Sequence, residues 1–152
     1  MLNRWMVFVL SLCLAGVALG QSVPTPSPED GAAFTAQTAT NLLNHVREGL
    51  QGHMQKQMLD AFDLSHMSGG QSFKNQVTAF FDQNDSVRIH FHVREASVQD
   101  GKGITVVDME MELEQNNSTA PPVRRKAQLR LVAENGGHGW KFTDVQPRTF
   151  FY

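Results

Sequence analysis

Three long stretches of strict alternation dominate the second half of this 152-residue chain. Val87, Ile89, Phe91 and Val93 share one parity, and Arg88, His90, His92 and Arg94 the other. From Ile104 to about Gln115, Thr105, Val107, Met109, Met111 and Leu113 alternate with Asp108, Glu110, Glu112 and Glu114. From Val123 to Glu134, Ala127, Leu129, Leu131 and Ala133 alternate with Arg124, Lys126, Gln128 and Arg130. A period of two belongs to a β-strand whose faces meet different surroundings. Asp100-Gly101-Lys102-Gly103 and Asn135 to Gly139 are turn signals, and Asn116 to Pro122 is a polar loop. Trp140 to Tyr152 supplies a fourth strand. The pattern predicts an antiparallel meander with one face on a core and the other in water.

The charges suggest a register. Glu114 opposite Arg124 places Glu112 by Lys126 and Asp108 by Arg130, and Arg94 opposite Asp108 places His92 by Glu110 and His90 by Glu112. The acidic strand then lies between two basic ones. Each cross-strand pair contributes only roughly 0.2–1 kcal/mol, but together they specify alignment. Ala96 and Val98 break the parity of the first strand. A one-residue bulge at Arg94–Glu95 restores both to the core face and bends the sheet.

Upstream, Ala39, Leu42, Leu43, Val46, Leu50, Met54, Met58 and Phe62 recur at three- and four-residue steps, the stripe of an amphipathic helix. Thr35 or Thr38 caps it, and Gly49 and Gly52 predict a bend or break. Ser65 to Gln71 reads as a loop. Ser72 then caps a helix with Phe73, Val77, Phe80 and Phe81 on one face. Helices lying inside a bent antiparallel sheet make an α+β cone.

Residues 1–20 read as a secretory signal. Arg4 is the basic head, Met6 to Ala18 the apolar stretch, and Ala18 and Gly20 the small residues before the cleavage point. The stretch is short for a membrane span, so no stable membrane insertion is expected after cleavage. Residues 21–34, with Pro24, Pro26 and Pro28, read as a solvated linker, and 35–152 as one domain. The expected location is outside the cytoplasm, periplasmic or secreted. Cys13 leaves with the signal, so the mature chain rests on its core without disulfides. Without Arg4, 12 Lys and Arg stand against 15 Asp and Glu, a net charge of −3 that gives no case for nucleic-acid binding.

The helices, the Gly-containing loop, a helix ending in Phe80-Phe81, long paired strands and a closing strand Gly139-Trp140-Lys141-Phe142-Thr143-Asp144-Val145 before Phe150-Phe151 resemble the nuclear transport factor 2-like superfamily, which includes SnoaL-like cyclases. The resemblance covers about residues 35–152. It implies a cone-shaped fold, dimerisation through the sheet, and a pocket between helices and sheet. The superfamily holds both enzymes and proteins without assigned activity, so fold alone does not fix function.

Candidate sites follow. Met54, Met58, Phe80, Met109, Met111, Leu129, Trp140, Phe142 and Gln146 are expected to line a pocket for a small apolar ligand, with the methionines as adaptable filler. If Trp140 and Phe142 point into the cone, Asp144 does too, and burial then suits it to act as a general base. The ketosteroid isomerases of the superfamily also need a pocket tyrosine, and the one tyrosine here is Tyr152. His66 lies in a loop where a pocket rim is expected, and Arg125 has inward parity. His90, His92, Glu110 and Glu112 form an alternative metal-binding surface on the outward face. There is no Ser–His–Asp set, phosphate loop or Cys–His spacing, and no cofactor is expected. The first reading is therefore a non-catalytic exported domain that forms a homodimer and takes an apolar ligand. The second is an isomerase, dehydratase or cyclase with Asp144 as base, and the third an interaction module using the charged sheet face.

Overall fold

The computed structural model describes residues 33–116 and 119–152. The signal sequence and the prolines of the linker lie outside them. Helices α1 (Ala36–Gln51), α2 (Gln55–Asp60) and α3 (Gly70–Gln83) precede four strands. These are β1 (Asn84–Gln99), β2 (Lys102–Gln115), β3 (Val123–Gly136) and β4 (Gly139–Gln146), followed by a 3-10 turn at Arg148–Phe151. The sheet is an antiparallel meander in the order β1-β2-β3-β4. The helices pack on one face of it, giving the expected α+β cone.

Thr35 caps α1, its hydroxyl accepting from Thr38 N at 3.1 Å. Ala39, Leu43, Val46 and Leu50 bury one stripe of the helix. The helical period breaks at Gly52 and His53, as expected, but the break also turns Met54 away from the stripe, leaving it 47% exposed. The cap of α3 is Gly69 in the left-handed region (φ +69), not Ser72. A left-handed residue at the start of a helix is where glycine has no steric penalty. Phe34 is buried, with its ring against Trp140 at 5.0 Å between centroids.

The strand register differs from the charge-based expectation by two residues. Glu112 faces Arg124 and Arg88, Glu110 faces Lys126 and His90, and Asp108 faces Gln128 and His92. A slip of two preserves both the faces and most opposite-sign pairs, so charge alone does not choose between the two registers. The choice agrees with Leu113 meeting Val123 at the end of the ladder and with Val107, Leu129, Met109 and Ala127 stacking in rows. The bulge falls at Arg94, as the parity break predicts. Downstream of it Ala96 packs on the core, whereas Val98 stays 54% exposed near the end of the strand.

A second bulge lies at Thr143, where Ala133 faces Phe142 and Val132 faces Asp144. It keeps Phe142 and Val145 buried although they are three residues apart. The free edge of β4 is covered by the segment after α2: Phe142 N donates to Ala61 O at 2.9 Å and Asp63 N to Phe142 O at 2.8 Å. Where α1 meets α2, Gly49 lies against the main chain of Met58.

Candidate functional site

The interior of the cone is made of the chain's own aromatic and sulfur side chains. Met58, Met111, Leu129 and Phe142 are fully buried, and Phe80 and Met109 nearly so. Phe62 bridges Phe73 and Phe142 at centroid distances of 5.0 and 5.6 Å. The 3-10 turn adds Phe151, which meets Phe73 at 6.2 Å and Phe150 at 5.3 Å. Both phenylalanines of the turn are buried. Of the residues expected to line a ligand pocket, these six form packed core, Trp140 flanks it, and Met54 and Gln146 lie outside it.

Arg125 has the inward parity expected of it, opposite Met111. Its guanidinium is occupied by the chain itself, donating to Tyr152 O at 2.7 Å and Phe150 O at 3.4 Å. Arg148 fastens the same turn from the other end, donating to Ser68 O at 2.6 Å and to Asp144 Oδ1 at 2.8 Å. The cation that inward parity offered to a ligand therefore holds the aromatic turn in place.

Asp144 does not share the inner face with Phe142. The bulge at Thr143 reverses the parity, and Asp144 projects with Val132 on the outer face. Its oxygens take Arg148 and the Gln146 amide, the latter at 2.9 Å. It lines an outer cleft of about 650 Å³ with His66, Arg130, Glu134 and Thr143. The structure thus brings His66 and Asp144 to one cleft but does not pair them. His66 Nδ1 is bonded to Asp63 Oδ2 at 2.7 Å, and its ring is 70% exposed. Asp63 also accepts from Ser65 N at 3.1 Å and from the Ser65 hydroxyl. Those bonds, that of Ser65 first and that of His66 next, hold its carboxyl well below the ordinary value of 3.8. Serine and aspartate meet the same ring nitrogen of His66, so this is a turn-capping cluster and not a nucleophile relay.

The outer sheet face carries the charges in rows. Glu112 is held by Arg124 at 3.0 Å and Arg88 at 3.4 Å, and Glu110 by Lys126 at 3.0 Å. Asp108 accepts from Arg94 and from Gln128 at 3.0 Å, and these bonds, Arg94 first, lower its pKa. His90 and His92 stand beside Glu110 and Asp108 rather than beside Glu112 and Glu110. Every carboxylate expected to join them as a metal ligand already has a cation or an amide. Among the described residues no group of three or more His, Cys, Asp or Glu is arranged to hold a metal ion. No described helix is long and apolar enough to cross a membrane.

No family model and no curated protein matches the sequence. Solved structures do match in fold. A conserved protein from Planctomyces limnophilus has a TM-score of 0.62 at 7% identity, over 70% of this chain and 89% of that one. The intermembrane space region of the chloroplast protein ARC6 scores 0.56 at 13% identity, over 76% and 97%. A type 2 hexachlorocyclohexane dehydrochlorinase scores 0.54 at 12% identity, over 70% and 79%. These neighbours support the cone-like fold of the nuclear transport factor 2-like kind, and at such identities they carry fold alone.

Proposed function

We propose that this chain is an exported, non-catalytic domain that self-associates through the outer face of its sheet. The observation that carries the reading is the packed interior. Phe73, Phe142, Phe151, Met58, Met111 and Leu129 are each under 2% exposed, where an enzyme of this fold would need an enclosed reaction space. Asp144, the carboxylate best placed by sequence to act as a base, is bonded to Arg148 and Gln146 on the opposite face. One structural neighbour is a dehydrochlorinase, but among the described residues the buried polar ones are Asn84, Thr105 and Thr143, none of them an acid or base. Export rests on the basic, apolar and small-residue order of positions 1–20.

The outer face is charge-complementary to itself. Acidic β2 stacked on acidic β2 is repulsive, but a two-fold axis along the strands between β2 and β3 sets β2 of each copy over basic β3 of the other. Asp108, Glu110 and Glu112 then meet the row of Arg124, Lys126 and Arg130, and the contact is isologous. Light scattering is expected to give twice the monomer mass for the wild type. Glu110→Lys with Glu112→Lys is expected to give the monomer, and mixing it with an Arg124→Glu, Lys126→Glu chain to restore the dimer. A monomeric wild type, or a double reversal that still dimerises, refutes the reading.

A further inference from the structure

A separate cleft of about 730 Å³ opens between α2, the segment after it, α3 and the β3–β4 turn. Its wall is apolar where it meets the core: Leu59 and Phe62 are buried and Leu64 is partly buried. Three lysines stand around it, each from a different element: Lys56 on α2, Lys74 on α3 and Lys141 on β4. Their convergence is made by the tertiary fold and is not the solvated stripe of one helix.

The charge balance inside the cleft is uneven in what remains free. Asp63 is committed to Ser65 and His66. Glu134 is committed to Lys102 Nζ at 2.8 Å and the Thr143 hydroxyl at 3.3 Å, and these bonds, Lys102 first, lower its pKa. Asp60 is the remaining carboxylate of the lining. Among the described residues the lysines that form ion pairs are Lys102 and Lys126, so Lys56, Lys74 and Lys141 keep their ammonium groups unpaired. At the turn, a side chain added at Gly136 or Gly137 would meet nothing within 4 Å, so the rim is open.

We propose that this cleft binds a small organic anion, its apolar body against Leu59, Phe62 and Leu64 and its carboxylate or phosphate among Lys56, Lys74 and Lys141. The volume suits a ligand of drug size, typically about 300–1,000 Å³. A head group beside a partly apolar wall gains more from ammonium donors than it would in open water. The site borders the packed interior at Leu59 and Phe62 and shares Glu134 with the outer cleft, but it includes none of the Asp108–Glu112 and Arg124–Arg130 rows and does not depend on self-association.

The test is NMR titration of the ¹⁵N-labelled chain with 2-naphthoate, 2-naphthyl phosphate and neutral 2-naphthalenemethanol. Saturable shifts are expected at Leu59 to Leu64, Lys74 and Gly136 to Lys141 with the anions and not with the alcohol. The tighter of the two anions identifies the head group. Lys56→Gln, Lys74→Gln and Lys141→Gln together are expected to weaken binding about tenfold or more, while Arg47→Gln on α1 leaves it unchanged. Lys56 and Lys74 are exposed and Lys141 is half-buried, and an unchanged spectrum outside the cleft checks the fold. Equal binding of the alcohol, shifts elsewhere, a triple variant that binds like wild type, or no saturation at millimolar ligand overturns the proposal.

Discussion

Replacing Gly49 by alanine sets two effects of opposite sign against each other. Alanine is favoured over glycine inside a helix by about 1 kcal/mol, and Gly49 lies within α1. An added Cβ, however, would stand 2.4 Å from Met58 N, 2.6 Å from Met58 Cα and 2.7 Å from Met58 Cβ. Non-bonded carbon contacts settle at about 3.5–4.0 Å, so the overlap is about 1 Å. The atoms in the way are main chain of a fully buried residue, and they cannot swing aside as a side-chain tip would. Helix α2 must move instead, disturbing the Met54 N to Gly49 O bond of 2.7 Å and the burial of Met58 and Leu59. Overpacking of this kind costs about 1–3 kcal/mol, and a backbone clash belongs at the upper end. The net expectation is a loss of about 2 kcal/mol. For a domain of this size that is a fall in melting temperature of roughly 6–10 °C. Gly52 is the control. A Cβ there would meet the terminal methyl of exposed Met54 at 2.5 Å, which can swing aside, and one main-chain atom, Glu48 O, at 2.9 Å, so Gly52→Ala is expected to cost clearly less than Gly49→Ala, about 1 kcal/mol or below. Urea titration with thermal melts of both variants decides the matter. A Gly49→Ala protein as stable as wild type would show that helix propensity wins and that the α1–α2 contact is loose.

Two further expectations concern the core and the loop. Phe151→Ala removes a ring that is 1% exposed and is expected to cost about 3–5 kcal/mol, partly regained under xenon or benzene pressure that refills the void; a loss below about 1 kcal/mol would deny the turn its part in the core. Asp63 has a folded-state pKa below its ordinary 3.8, so its contribution is complete above that value and lost as the pH falls below it. The stability gap between wild type and Asp63→Asn is therefore expected at neutral pH and to close in acid, and a gap independent of pH would refute the assignment.

What the sequence showed and hid divides along physical lines. Alternation located the first three strands, because a half-buried sheet imposes a period of two on every residue. The fourth, expected to run from Trp140 to Tyr152, ends at Gln146, and Arg148–Phe151 form a 3-10 turn instead. The same logic found the bulge at Arg94, where Val93 and Ala96 break step. It applied equally to Phe142 and Val145, three residues apart and both buried, and that spacing was the available signal for the bulge at Thr143. Missing it put Asp144 on the wrong face. The register was two residues off because acidic and basic residues repeat every second position, and a two-residue slip leaves the signs matched. The stripe of α1 was extended through Met54 and Met58 to Phe62, although α1 ends at Gln51 and a helix that breaks loses its phase, which left Met54 exposed. The Asp63–Ser65–His66 cap is a local motif readable from an aspartate two residues before a serine. The lysine cleft had no signature, since its three members lie 18 and 67 residues apart and only the packing of helix against hairpin joins them.

The strap of residues 61–63 along β4 decides how copies of this chain can meet. An antiparallel sheet with a bare margin recruits further strands side by side through its unpaired backbone groups, the route to fibrils. Here one margin is already occupied, and the other, β1, is interrupted by the kink at Arg94 and studded with ionic groups. Both margins are thereby poor templates for an added strand, which is how a sheet protein keeps its edges from becoming sticky.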